Sequence, residues 1–455
     1  VVGGERLTFT ELWERAARVA GGLRSAGVRR GDHVAIHLPN GVAWVLAFFG
    51  CQLAGAVAVP VNTRFSTAEV AYVVGDSAAV YVFEDGAALP DGNPLAVDDL
   101  SLDDVAAIYY TSGTTGFPKG AQLAHESFLA TCENRVRVTG VRPDEQLRNL
   151  VSVPLFHVTG ACSQLMFTLA HGGATVIMPS FSVQPFLHAL SDERINIATS
   201  VPAIWWLAIN QPNFRDFAVS ALHHLSYGGA PMAPELVARV RESFPNARLG
   251  NGFGLTETTA IATFLPNEWC ATRPETVGFG APVVEVDLAE VDPLTGVGEL
   301  LVRGQNVVHG YWNASEQTAV SFVDGWLHTG DLALLDDDGF VQIVDRKKDM
   351  VNRGGENVYC VEVENALVQH PDVFEVAVLG VPDTMMGEKV GAVIVPRPGT
   401  TPSAADIRGW AREQIADFKV PQYIAFRDEP LPRNAGGKVL KPALRDAVVW
   451  GEQLR

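Results

Sequence analysis

The chain has 455 residues and a mass of 48.9 kDa, too long for one hydrophobic core and long enough for two to four domains of about 100–200 residues each. Apolar residues make up 47% and charged residues 19%, which excludes a disordered chain. A net charge of −18 removes the basic footprint that nucleic acid or anionic lipid needs, although backbone N–H groups and a few placed lysines can still hold a phosphate.

Residues 8–26 carry Leu12, Trp13, Ala16, Val19, Ala20 and Leu23 at helical spacing and predict an amphipathic helix. A strand over 33–38, a helix over 41–53 and a strand over 56–61 follow. The apolar stretch 41–61 is interrupted by Gln52, Gly55 and Pro60, so it reads as a buried helix and core strand, not as a membrane span. Five aspartates between 91 and 104, with Gly92 and Pro94, predict a solvated loop. Further apolar runs at 80–83, 174–178 and 197–201 extend the α/β alternation, which argues for largely parallel sheets with helices on their faces. After about residue 285 the texture becomes β-rich. Runs at 332–335 and 340–344 flank Asp336-Asp337-Asp338-Gly339, a hairpin turn without the spaced ligands of a calcium loop.

The charged segment Asp345-Arg346-Lys347-Lys348-Asp349 suits an exposed connection. A helix over 361–368, strands over 373–380 and 390–395, a helix over 404–418 and a strand over 423–426 then predict a compact α+β unit. The expected fold is therefore α/β: a large body over 1–347, β-rich at about 285–345, followed by a small α+β domain over 348–455. The five cysteines, at 51, 132, 162, 270 and 360, are an odd number without C-x-x-C, so disulfides and zinc are not expected and a reducing, cytoplasmic compartment is. No signal peptide is visible. The chain opens at Val1, which leaves a missing native N-terminal segment open.

The segment Tyr109-Tyr110-Thr111-Ser112-Gly113-Thr114-Thr115-Gly116-Phe117-Pro118-Lys119-Gly120 lies between an apolar run and a predicted helix. Its glycines allow tight folding, its hydroxyls donate hydrogen bonds and Lys119 adds a point charge, an inventory that suits a polyphosphate. It is not a P-loop, because Pro118 and Gly120 stand where G-x-x-x-x-G-K-[ST] needs Gly and Ser or Thr. The ordered motifs continue with Pro154-Leu155-Phe156-His157, Tyr227-Gly228-Gly229-Ala230-Pro231, Asn251-Gly252-Phe253-Gly254-Leu255-Thr256-Glu257, Gly298-Glu299-Leu300 and Gly310-Tyr311-Trp312. Trp326-Leu327-His328-Thr329-Gly330-Asp331, the 345–349 segment, Gly354-Gly355-Glu356-Asn357 and Gly436-Gly437-Lys438 complete the set.

Over essentially its whole length the chain resembles the adenylate-forming superfamily of acyl-CoA synthetases, peptide-synthetase adenylation domains and beetle luciferases. That resemblance implies ATP, Mg2+, CoA and a carboxylic acid as ligands, with activation to an acyl-adenylate followed by transfer to a thiol. It implies that Thr111, Ser112, Gly113, Thr114, Thr115 and Lys119 hold the β- and γ-phosphates, that Thr256 donates to a phosphate oxygen and that Glu257 ligates Mg2+. Phe253 is expected on adenine with Gly229, Ala230, Asn251 and Gly254 beside it, Asp331 on the ribose and Arg346 assisting there. Lys438 is the implied adenylation lysine, Lys348 the hinge of a mobile small domain, and Arg353, Gly354, Gly355 and Glu356 the thiol channel. His157 is assigned to gating and orientation of the carboxylate; Cys360 is expected to be a packed residue and Lys441 a surface one.

The implied acyl pocket draws on Trp205, Trp206, Gly228 and Gly252, an apolar lining without an acidic partner for an amino acid's ammonium. A medium- or long-chain fatty acid is the first expectation and an aryl acid the second. An acyl-AMP ligase serving a carrier protein and a non-catalytic nucleotide-binding relative are the alternatives. Self-association is left open.

Overall fold

The computed structural model describes residues 4–111, 118–230, 232–354, 356–433 and 439–454. Ser112, Gly113, Thr114, Thr115, Gly355 and Lys438 lie outside the described residues.

The first helix, Phe9–Ser25, starts at a capping box: the Thr8 hydroxyl accepts from the Glu11 N–H at 3.2 Å and the Glu11 carboxylate accepts from the Thr8 N–H at 2.7 Å. Its buried stripe is Ala16, Val19, Ala20 and Leu23, whereas Trp13, expected on that stripe, is 58% exposed. Close approach of the next helix, Val42–Ala54, explains the preference for small residues. A Cβ on Gly50 of that helix would lie 2.5 Å from Val19 Cγ1. The 91–104 segment is better anchored than a free solvated loop, since Arg18 binds Asp91 and Arg30 reaches Asp99 at 2.5 Å and Asp104 at 2.8 Å.

The chain divides into two compact units, one of Val1–Asp287, Leu301–His328 and Asp336–Val341, the other of Leu288–Leu300, Thr329–Leu335 and Gln342–Arg455. The division passes through the strands Val284–Ala289, Gly298–Gly304 and Trp326–Leu335, which begin in one unit and end in the other.

The first unit contains a six-stranded and a seven-stranded sheet, and the fold is the α/β architecture expected. The six-stranded sheet runs Tyr311–Trp312, Lys119–Ala124, Val105–Thr111, Val57–Pro60, His33–His37, Tyr81–Glu84. The seven-stranded one runs Phe279–Gly280, Thr263–Leu265, Arg248–Phe253, His224–Gly228, Ile197–Ser200, Arg148–Val151, Ala174–Ile177. Strand His224–Gly228 pairs in parallel with Arg248–Phe253, from His224↔Arg248 to Gly228↔Gly252. At the end of that ladder a Cβ on Gly228 would lie 2.2 Å from the Gly252 carbonyl oxygen, so the strands close only over glycine.

The second unit holds the sheet Glu356–Val358, Val351–Arg353, Gly387–Pro396, Val373–Asp383, with Tyr423–Phe426 beside Gly387–Pro396. Helices Cys360–Val368 and Ala404–Gln414 contribute Val363, Leu367 and Ile407 to one core with Val378, Val390 and Ile394. The second helix ends at Gln414, short of the predicted 418, because Ile415 turns extended (φ −136°, ψ 160°). All five cysteines are unpaired and buried. Among the described residues no helix is long and apolar enough to cross a membrane.

Gly228→Ala is expected to destabilise the protein by about 1–3 kcal/mol, the usual range for overpacking against fixed atoms. Gly75→Ala, in the helix Thr67–Asp76 with nothing within 4 Å of the added Cβ, is expected to gain up to about 1 kcal/mol. Urea unfolding of both variants checks the pair; a neutral Gly228→Ala would contradict the close approach.

Candidate active site

In an open α/β sheet, ligands collect where parallel strands end and their loops diverge. Strand His224–Gly228 delivers Gly229, at φ 76°, and Ala230 to solvent. Its neighbour Arg248–Phe253 continues into Gly254 and the 3-10 turn Thr256–Thr258, carrying Thr256 and Glu257 half-buried beside it. Phe253 is partly exposed, as stacking on a base requires. Asn251 is buried and its Nδ2 donates to the Thr276 carbonyl at 3.1 Å, so its amide is committed to holding the strand.

Tyr311, which the sequence marks only as a motif member, joins two parts of this arrangement. Its hydroxyl donates to Glu257 Oε1 at 2.8 Å, and Lys119 Nζ lies 5.3 Å from its ring centroid. Burial, followed by the Glu257 charge, raises the Tyr311 pKa well above its ordinary value, so the phenol remains a protonated donor. Lys119 opens strand Lys119–Ala124 and pairs opposite Thr111, while Tyr311↔Ala121 extends the same sheet. A cation, a ring and a carboxylate from three distant segments thus converge. No signal in one sequence shows that Tyr311 and Glu257 are partners across 54 positions.

Among the described residues no group of three or more His, Cys, Asp or Glu gathers as a metal cage. One carboxylate such as Glu257, completed by phosphate oxygens and water, nevertheless fits Mg2+, which keeps most of its shell outside the protein.

His157 is half-buried, its ring edge-on to Phe156 at 4.7 Å, and it precedes the π-helix Thr159–Met166. Wide helical turns of this kind recur at functional sites. The tryptophans do not behave as expected. Trp205 is 0% exposed, donates its Nε1–H to the Ser226 carbonyl at 3.2 Å and packs edge-on against Phe186 and Phe244, both at 5.6 Å. It is a core residue, not a pocket wall, because the helix Pro202–Ile209 turns it under the sheet. Trp206 is 41% exposed. At Gly228 the missing side chain also serves the close approach of the two strands.

In the second unit Asp331 is 3% exposed and pairs with Arg346 Nε at 2.7 Å, which brings the two expected ribose residues together. Lys347 binds Glu290 at 2.6 Å and Glu299 at 3.1 Å, and Lys348 is exposed. Arg353 Nη1 lies 3.4 Å from Glu356 across the hairpin of Val351–Arg353 and Glu356–Val358, where Gly354 has φ 64°.

Cys360 packs inward as expected, its thiol donating to the Asp349 carbonyl at 2.9 Å, and burial raises its pKa. Lys441 is the correction here: only 13% of its side chain is exposed and its ammonium pairs with Glu364 at 2.8 Å. Burial alone would lower the Lys441 pKa, but Glu364, Cys360 and Asp345 together raise it. Asp345 accepts from the backbone N–H groups of Arg346 and Cys360, yet burial pushes its carboxyl from 3.8 up to about 6.

A model of the AMP-binding enzyme family matches residues 1–92 and 84–312, and a model of the AMP-binding enzyme C-terminal domain matches 362–438. A feruloyl-CoA synthase of an Amycolatopsis species is 38% identical, covering 97% of this chain and 94% of that protein. A long-chain-fatty-acid–CoA ligase of Mycobacterium tuberculosis is 32% identical, covering 97% and 93%. The o-succinylbenzoate coenzyme A synthetase of Bacillus subtilis, solved in complex with ATP and a magnesium ion, matches with a TM-score of 0.90 at 29% identity, over 98% of this chain and 96% of that one.

The raised Asp345 carboxyl makes a signed prediction. Below about pH 4 it is protonated in both folded and unfolded chains; between about pH 4 and 6 the unfolded chain ionises first, so stability falls as pH rises. Relative to Asp345→Asn, the wild type should lose roughly 2–3 kcal/mol across that window and little beyond it. Urea unfolding at several pH values measures the difference, and parallel curves would refute the assignment.

Proposed function

The chain belongs to the AMP-binding enzyme family and is an AMP-forming acid–CoA ligase, and we propose that the acid it activates is a compact aromatic carboxylic acid of cinnamate size. ATP and CoA are its co-substrates and Mg2+ its metal. A carboxylate oxygen attacks the α-phosphorus of ATP, the bond to pyrophosphate breaks, and the resulting mixed anhydride is then cleaved by the CoA thiol, which loses its proton as AMP departs.

The protein's part is to gather donors and cations around developing negative charge and to exclude water from the anhydride. Lys119 and Thr111, with Ser112, Gly113, Thr114 and Thr115, would hold the β- and γ-phosphates. Thr256 would donate to a phosphate oxygen, and Glu257, oriented by the Tyr311 hydroxyl, would hold Mg2+, which supplies charge neutralisation when bound. Phe253, Gly229, Ala230, Asn251 and Gly254 would frame adenine; Asp331, aligned by Arg346, would take the ribose hydroxyls. Lys438 would serve adenylation. Rotation about Lys348 would then exchange it for the Arg353, Gly354, Gly355, Glu356 hairpin in thiol transfer. His157 would orient the acid's carboxylate, with Gly228 and Gly252 at the acyl pocket.

The observation that carries the aromatic reading is the 38% likeness, over 97% of this chain, to a feruloyl-CoA synthase. A medium- or long-chain fatty acid, the first expectation from the apolar lining alone, becomes the second reading, favoured by the likeness to a long-chain ligase. The cytoplasm is the proposed compartment, consistent with five unpaired cysteines.

Pyrophosphate release over a panel of aromatic and aliphatic acids, with and without CoA, tests this. Aromatic acids should give the highest kcat/KM, and a clear preference for decanoate or longer acids would overturn the aromatic reading. Lys438→Ala should abolish adenylation while supplied acyl-adenylate is still converted to thioester; loss of both steps in a folded variant contradicts the division of labour. Tyr311→Phe should raise KM for Mg·ATP by roughly ten-fold, the value of one hydrogen bond to a charged group of about 1.5 kcal/mol.

A further inference from the structure

The sheet face that carries Gly228 and Gly252 continues back from the strand ends. Alternation places Ser226 and His224 on it from one strand and Gly250 and Arg248 from the next, paired Ser226↔Gly250 and His224↔Arg248. Antiparallel pairing sets Phe264 opposite Gly252 on the following strand. Its ring covers Gly250 so closely that a Cβ there would lie 2.0 Å from Cζ, whereas a Cβ on Gly252 would be 3.7 Å from Cδ2. Phe264 is 4% exposed. Behind the ring is a polar recess lined by Thr139, His224, Ser226, Arg248 and Asn267, with Phe264 itself as one wall. Three zones therefore succeed one another along one strip: glycines at the strand ends, an aromatic ring, then a polar recess.

We propose that Phe264 is the specificity-determining residue that closes the far end of the acyl pocket and bars an extended acyl chain. The inference rests on the placement of that pocket at Gly228 and Gly252 proposed above. A carboxylate presented at the strand ends directs its tail along the strip toward Phe264. The ring reaches from contact distance of a Cβ on Gly252 to the top of Gly250, so the strip is closed just behind the strand-end glycines and offers an extended chain no path. Gly250 is the seat that keeps the ring in place, since any side chain there would expel it. A longer acid would have to drive the ring into the recess, against His224, which is 6% exposed and bound to Glu145 at 2.9 Å. Displacing ring and polar groups together carries a desolvation cost that a few buried methylenes do not offset.

The experiment is the ratio of kcat/KM for a cinnamate-type acid to that for decanoate, from initial rates of pyrophosphate release. Wild type should favour the aromatic acid by about tenfold or more, and Phe264→Ala should reduce that ratio by about tenfold through a rise in the decanoate value. Phe264→Leu, which keeps core volume, should shift it in the same direction by less and serves if the alanine variant does not fold. An unchanged ratio in a folded variant, or equal loss on both acids, overturns the role of Phe264 while leaving the aromatic reading intact. A wild type that prefers decanoate overturns that reading and this proposal together.

Discussion

The arrangement of the first unit depends on one close approach, that of Gly228 to the Gly252 carbonyl at the end of a parallel ladder. Because no side chain fits between them, the two strands terminate side by side and release their loops at a common edge. Gly254 repeats the constraint one step on, where a Cβ would lie 1.9 Å from the Ala260 carbonyl oxygen, so the chain folds back tightly and presents Thr256 and Glu257. From Glu257 the order passes through Tyr311 to Lys119 and hence to the neighbouring sheet. Backbone packing, more than any side-chain network, decides where the polar groups stand.

Much of this was legible in the sequence, but unevenly. The helix Phe9–Ser25, the buried helix Val42–Ala54 and the strands of the second unit follow from capping residues, apolar periodicity and glycine stops. Motif spacing also marked Asp331 and Arg346, which meet at 2.7 Å. What misled was residue type without tertiary context. Trp13 is apolar yet exposed because its helix is met through alanines. Trp205 is aromatic and near the site in sequence, yet the sheet's other face claims it. Lys441 reads as surface until Glu364 and Asp345 are seen beside it, and the Tyr311–Glu257 pairing has no local signature at all.

The second unit illustrates why a buried cation needs more than one anion. Lys441 faces Glu364 directly, while Asp345 contributes at longer range and is itself engaged by two backbone donors. Removing Glu364 would leave the ammonium underpaired in a dry setting, where an unpaired charge is far more destabilising than an intact pair is stabilising. The cluster joins the charged 345–349 segment to the helix Lys441–Ala447, so two segments about a hundred residues apart in this unit are electrostatically coupled.

The five cysteines have a consequence for the chemistry that their lack of disulfides does not suggest. An acyl-adenylate is a strong electrophile that reacts with any accessible thiolate. In this chain every cysteine is buried, and burial raises the thiol pKa in each case, to about 11 at Cys270 and about 12 at Cys132. None is ionised or open to attack near neutral pH. The enzyme's own cysteines are thereby protected from acylation, and a thiol delivered from solution meets no competing thiol built into the fold.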